Sequence, residues 1–379
     1  MSSLNDAQDT ALAMRQAEPG GLLNGAVGSV SLEPAGVPQP RIDEAPSMPP
    51  TFAALDLGTN NCRLLIARPA YAGGDFSGFK IVDSFSRIVR LGERVSQTGR
   101  LAEAAIRRTL DALEICRAKM RARQVTHARL IATEACRMAV NGVEFIARAR
   151  EKLGLELEII DRQTEAHLAA AGCAALADPV AESVILFDIG GGSSEIIWLG
   201  PQTSRGGLGA GRERIRFWVS LKLGVVTLAE KYGGVDISEA TFEAMVAHVG
   251  AELDEFITKA ALEPRCERFH LLGTSGTVTT IGGVFLNLAR YDRRRVDGLW
   301  MSDTEIDVTV SRLRSMPYAE RVANGCIGTE RADLVLAGCA ILEAIRRAFP
   351  AKRVRIADRG LREGILLQMM DAEHARAGR

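Results

Sequence analysis

In residues 184–199, VILFDIGGGSSEIIWL, an acidic residue, three glycines, two hydroxyls and a second acidic residue lie between two apolar runs. Gly190, Gly191 and Gly192 can take positive φ without steric cost, so a turn built from them can aim successive N–H groups at one anion. Ser193 and Ser194 add hydroxyl donors. Asp188 and Glu195 flank this nest. Carboxylates repel phosphate unless a cation lies between them, so the pattern implies a hard divalent ion, Mg2+ or Mn2+, beside a bound phosphate.

An ordinary glycine hairpin accounts for that stretch taken alone. Residues 51–67, TFAALDLGTNNCRLLIA, repeat the plan with an apolar run, Asp56, Gly58, the small polar residues Thr59, Asn60 and Asn61, and a second apolar run. Two such hairpins predict two related half-domains. The elements needed to position them follow in order. Strands are predicted over 80–89, 128–132 and 155–160, with helices over 101–123, 142–153 (capped by Asn141) and 163–177. After the second hairpin come a glycine- and arginine-rich loop over 205–216, strands over 215–221, 270–272 and 353–357, and helices over 238–260, 278–288, 303–316, 332–349 and 360–370. Strands alternating with helices make this an α/β fold.

At 379 residues and 47% hydrophobic content the chain can bury a large core, and its length favours two domains. Residues 1–50, rich in Gly, Pro, Ala and Ser, read as a disordered tail. Lys+Arg and Asp+Glu both number 47, which argues against a nucleic-acid coating protein. The seven cysteines are odd in number and scattered, with no CxxC pair and no metal-ligand spacing, and read as reduced core residues. No apolar run of about 18 residues and no signal-like N-terminus is present, so a cytoplasmic protein without membrane contact is expected. No Gly-Lys-Ser/Thr occurs, and GTSG at 273–276 lacks dinucleotide-site spacing.

Several motifs, in order, resemble the exopolyphosphatase and guanosine pentaphosphate phosphohydrolase (Ppx/GppA) family. They are ALDLGTNNCRLLIA, VRLGE, TGRL, ATEACRMAVN, TEAHLA, FDIGGGSSEI, SLKLGVVTL, LLGTSGTVTTIGG, ERADLVLAGCAIL and ADRGLREGIL. The resemblance spans about 53–370. It implies two ribonuclease-H-like domains of the actin, Hsp70 and sugar-kinase superfamily with an interdomain cleft: 51–178, with 351–379 packing back on it, and 179–350. With no His-Asp dipeptide and little chain after ADRGLREGIL, the sequence looks like the short, two-domain form.

By this resemblance Glu165 is the catalytic glutamate, acting as general base or orienting the attacking water, where a helix-start glutamate would otherwise be read as solvated. Asp56, Asp188 and Glu195 match metal-associated acidic positions. Gly190 to Ser194 match the backbone cradle, and Arg63, Arg137 and Arg331 match phosphate-contacting arginines. The implied activity is removal of the terminal phosphate from inorganic polyphosphate or of the 5′ γ-phosphate from guanosine pentaphosphate (pppGpp). Family members form homodimers, which sets the expectation for oligomeric state. The rival readings are an ATP-dependent sugar or acetate kinase and a non-catalytic polyphosphate or nucleotide sensor. Arg205, Arg212, Arg214, Arg216 and the run Arg293, Arg294, Arg295 are either solvated or grip a long polyanion.

Overall fold

The computed structural model describes residues 49–72, 75–202, 213–260 and 268–377; the tail through residue 48, Arg205, Arg212 and Cys266 lie outside them. Apolar residues of alternating facing make the two founding hairpins. In the first, β1 (Phe52–Leu57) pairs antiparallel with β2 (Asn61–Ala72), which pairs with β3 (Asp75–Ile88). β4 (His127–Ala132) adds parallel to β1, and β5 (Leu157–Ile159) parallel to β4, giving the order β3-β2-β1-β4-β5.

The second sheet repeats this topology. β6 (Ser183–Ile189), β7 (Ser194–Leu199) and β8 (Ile215–Leu221) form the meander, β9 (Phe269–Thr274) lies parallel to β6, and β11 (Arg353–Ala357) parallel to β9. β10 (Trp300–Ser302) extends the far edge, so the order is β10-β11-β9-β6-β7-β8. The fold is thus mixed α/β with two equivalent sheets, as the paired hairpins predict.

Strand alternation divides the core in three. Ala53, Leu55 and Leu57 face a cluster inside the first lobe, and Ile185, Phe187 and Ile189 face one inside the second. Phe52, Ala54, Val184 and Leu186 point the other way, into a third cluster between the sheets. That middle layer is filled by helix Arg162–Cys173, through Leu168 and Ala169, and helix Leu361–Ala377, through Ile365 and Leu366. β11 therefore stays in the second sheet, and only the helix after it packs against β1 and helix Arg162–Cys173. Met48–Arg379 is one compact unit holding both lobes.

Two local expectations fail. Asn141 starts helix Gly142–Leu153 but does not cap it with its side chain, which instead accepts from Leu101 N (2.8 Å) and donates to Leu101 O (3.1 Å). The helix expected over 163–177 ends at Cys173 and tightens into a 3-10 turn over Ala174–Leu176. Six cysteines are free and buried, as their scattered spacing predicts.

Candidate active site

The two hairpins deliver matching turns to one cleft. Asp56 is the penultimate residue of β1 and Asp188 of β6. Two residues on, Gly58 N donates to Asn61 O (2.9 Å) and Gly190 N to Ser193 O (3.0 Å), closing turns of equal length. Across the strands Asp56 faces Arg63 and Asp188 faces Glu195, so one structural position carries a cation in the first lobe and a carboxylate in the second.

A cavity of about 70 Å³ lies between the turns, lined by Asp56, Asp188, Glu195 and Glu165, by Gly58, Thr59, Asn60, Asn61 and Arg63, and by Gly190, Gly191, Gly192 and Ser193. Gly58 and Gly190 spend their N–H groups closing the turns. The N–H groups of Thr59, Asn60, Gly191 and Gly192 donate to no backbone carbonyl among the described residues, which leaves them for an anion. The side-chain oxygens Asn60 Oδ1 and Asn61 Oδ1 are buried without a hydrogen-bond partner, so this pocket is polar and unsatisfied by protein alone.

Glu165 sits in the first turn of helix Arg162–Cys173, whose start is capped by Asp161 accepting from Thr164 N (2.6 Å). It is 6% exposed. Burial pushes its carboxyl up to about 7, against the opposing pull of Arg137 and with further push from Asp56 and Asp188. Asp188 is likewise raised to about 6, by burial first, with Arg63 opposing and Asp56 adding. Asp56 and Glu195 are raised too, both chiefly by burial. Ser220 Oγ donates to Glu195 Oε1 at 2.8 Å.

No three His, Cys, Asp or Glu side chains among the described residues converge as a ready metal cage. The donor set is nonetheless all hard oxygen. It fits an ion that takes one or two carboxylates and completes its shell with water and substrate phosphate oxygens, the usual habit of Mg2+.

Three predicted residues stand elsewhere. Arg137 does not line the cavity; its guanidinium donates to Glu165 Oε2 (2.9 Å), Glu134 Oε2 (2.5 and 2.9 Å) and Ile160 O (2.6 Å). Its guanidinium is thus spent on two carboxylates and a carbonyl. Ser194 is buried and donates to Leu223 O (2.8 Å). Arg331 lines an adjoining cavity of about 880 Å³ that shares Asp56, Arg63 and Asp188 with the smaller one.

That larger cavity also receives Arg362. A Cβ on Gly276 would stand 3.6 Å from Arg331 Nη1 and 3.7 Å from Arg63 Nη2, so these two guanidiniums converge. The guanidiniums of Arg63, Arg331 and Arg362 form no hydrogen bond or ion pair with the described residues, and burial lowers the pKa of Arg331 and Arg362. Such cations call for an anionic ligand. Of the run proposed for polyanions, Arg293 lines this cavity but is paired with Glu363 (2.8 Å), whereas Arg294 and Arg295 are exposed. Arg214 is buried against Gly200 O and Arg216 is exposed.

Sequence reasoning missed Glu134, which anchors both Arg137 and Arg162 (2.7 Å), and Ser275, whose hydroxyl donates to Ile189 O (2.7 Å) at the cavity wall. It also missed Arg362. The motifs ATEACRMAVN, LLGTSGTVTTIGG and ADRGLREGIL contain these three residues and were the available signal.

The chain is 27% identical over 332 residues to exopolyphosphatase 2 of Mycobacterium tuberculosis, covering 84% of this chain and 98% of that one. It is 26% identical over 340 residues to the guanosine-5′-triphosphate,3′-diphosphate pyrophosphatase of Aeromonas hydrophila, of which it spans 60%, with 86% of this chain covered. The crystal structure of the Aquifex aeolicus Ppx/GppA protein superposes with a TM-score of 0.67 at 27% identity, covering 86% of this chain and 98% of that one. The model of the Ppx/GppA phosphatase family matches residues 70–373, and the chain belongs to that family.

Proposed function

We propose that the chain is an exopolyphosphatase, hydrolysing the terminal phosphoanhydride of inorganic polyphosphate with water activated by Glu165 and with Mg2+ as the assisting ion. The observation that carries this reading is the sequence of environments along one cleft. Three arginines whose side chains have no protein partner among the described residues line the larger cavity, which meets five carboxylates and free backbone N–H groups in the smaller one. A chain of phosphates needs repeated cations behind the scissile bond, and the larger cavity supplies them.

In this reading Arg63, Arg331 and Arg362 bind the leaving chain. The free N–H groups of Thr59, Asn60, Gly191 and Gly192 fix the terminal phosphoryl group. Glu165, steadied by Arg137, accepts the proton of the attacking water. One or two of Asp56, Asp188 and Glu195 would hold the metal, with water and substrate oxygens completing its shell, and when bound it neutralises charge on the phosphoryl oxygens. In this reading the lobes are 51–178, joined by the C-terminal helix, and 179–350 together with strand β11. No helix among the described residues is long and apolar enough to cross a membrane, and a cytoplasmic homodimer is part of the proposal.

The similarity to the Aeromonas enzyme makes pppGpp the second substrate to test. Phosphate release with Mg2+ should be faster from long-chain polyphosphate than from pppGpp, and Glu165→Gln should cut kcat by about 10²- to 10⁴-fold. Preference for the nucleotide would reassign the substrate. Binding without release from either would leave a sensor.

A further inference from the structure

One segment, residues 89–96, touches the phosphate-facing turn of the first hairpin, the turn that carries Arg331, and the helix that supports the glycine turn of the second. Val89 N and Arg90 N donate to Asn60 O (2.9 and 3.0 Å), and Gly92 N donates to Thr59 O (2.8 Å). The approach is so close that a Cβ on Gly92 would stand 2.3 Å from Thr59 Cγ2. From this anchorage on the first lobe the segment reaches the second at two points. The Arg90 guanidinium grips both carboxylate oxygens of Asp333 (3.0 Å each) and donates to Glu330 O (3.1 Å). Glu230 accepts from Arg94 N (2.6 Å) and Ser96 Oγ (2.5 Å). It belongs to helix Val225–Tyr232, whose first N–H groups donate to Gly190 O and Gly191 O.

Arg90 and Arg94, two of the three residues that make these crossings, both have left-handed backbone, with φ of 47° and 59°. L-residues with side chains adopt that conformation at a cost, and it persists where surrounding contacts impose it. Arg331 lies between the two residues that Arg90 holds, in a turn where Gly328 O accepts from Arg331 N and Ala332 N (3.2 and 3.1 Å).

We propose that Arg90 is a positioning residue for phosphate binding: reaching across from the first lobe, it fixes the 328–334 turn and so holds Arg331 over the cavity. This rests on the polyphosphate reading above. The free energy of the Arg90 contact should then appear as substrate affinity and be spent through Arg331.

The test is a double-mutant cycle read by calorimetric binding of inorganic tripolyphosphate and by kinetics on long-chain polyphosphate. Arg90→Ala and Arg331→Ala should each weaken binding and raise KM about tenfold, with kcat of Arg90→Ala within about twofold of wild type. Arg90→Ala added to Arg331→Ala should cost nothing more. The swapped pair Arg90→Asp with Asp333→Arg should recover part of the affinity that either single swap loses. Asp333→Ala serves as a second disruption should Arg90→Ala fold poorly. Fully additive losses, or an unchanged KM in Arg90→Ala, would overturn the proposal while leaving the polyphosphate reading intact. A wild-type protein that neither binds tripolyphosphate nor releases phosphate would remove both.

Discussion

In Glu165, the proposed base, two opposed effects set the basicity of one side chain. Burial alone would keep its carboxyl protonated, and Arg137, held at 2.9 Å, pulls the other way, leaving it at about 7. A general base works ionised, so kcat/KM, which reports the free enzyme, should rise with pH along an acid limb centred near 7. Arg137 favours the charged carboxylate. Arg137→Gln should therefore move that limb to higher pH as well as lower its plateau. A limb that stays in place in the variant would show that another group titrates. The type of each of these residues was legible in sequence, but their partners were not. Arg137 is a plausible phosphate ligand until the fold brings Glu134 and Glu165 to it, and Arg362 is an ordinary helix arginine until burial isolates it.

At the scale of elements, the hairpins were legible because alternation and glycine turns are local signals, and both close with the same hydrogen bond. The short pieces, such as helix Glu134–Met138 and strand β10, carry too few residues for a period and were missed. The support of the glycine turn is likewise tertiary. Val225 N and Val226 N donate to Gly190 O and Gly191 O (3.0 and 2.8 Å), which turns the loop's carbonyls away and leaves its N–H groups free. Gly224 makes this approach possible. Its backbone is extended, φ −137°, which any residue adopts, but a Cβ there would stand 2.4 Å from the Gly191 carbonyl. Gly224→Ala must push the turn aside because backbone atoms cannot rotate away. It should cost about 1–3 kcal/mol of stability and lower phosphate affinity as well. Thermal melting and tripolyphosphate binding measure the two effects, and loss of stability with normal binding would mean that the turn does not hold the anion.

The whole molecule brings together carboxylates that no single lobe contains. Asp56 comes from the first sheet, Asp188 and Glu195 from the second, and Glu165 from a helix packed between them. Each is raised by burial, and neighbouring carboxylates add to the rise. A raised carboxyl binds a proton in the folded state that the unfolded chain has already released. Stability contributed by that proton is present below the unfolded value, near 4, and is lost as pH rises through the folded value, for Asp188 and Glu165 about 6 and about 7. Each such group lowers stability by about 1.4 kcal/mol per pH unit across its window. A divalent ion in the cleft would replace the missing protons. Mg2+ should therefore raise Tm little at pH 5, where the carboxyls are protonated, and more at pH 8, where they repel one another. The same comparison with Asp188→Asn should flatten the difference. A Mg2+ shift equal at both pH values, and unchanged in the variant, would place the ion outside the cleft.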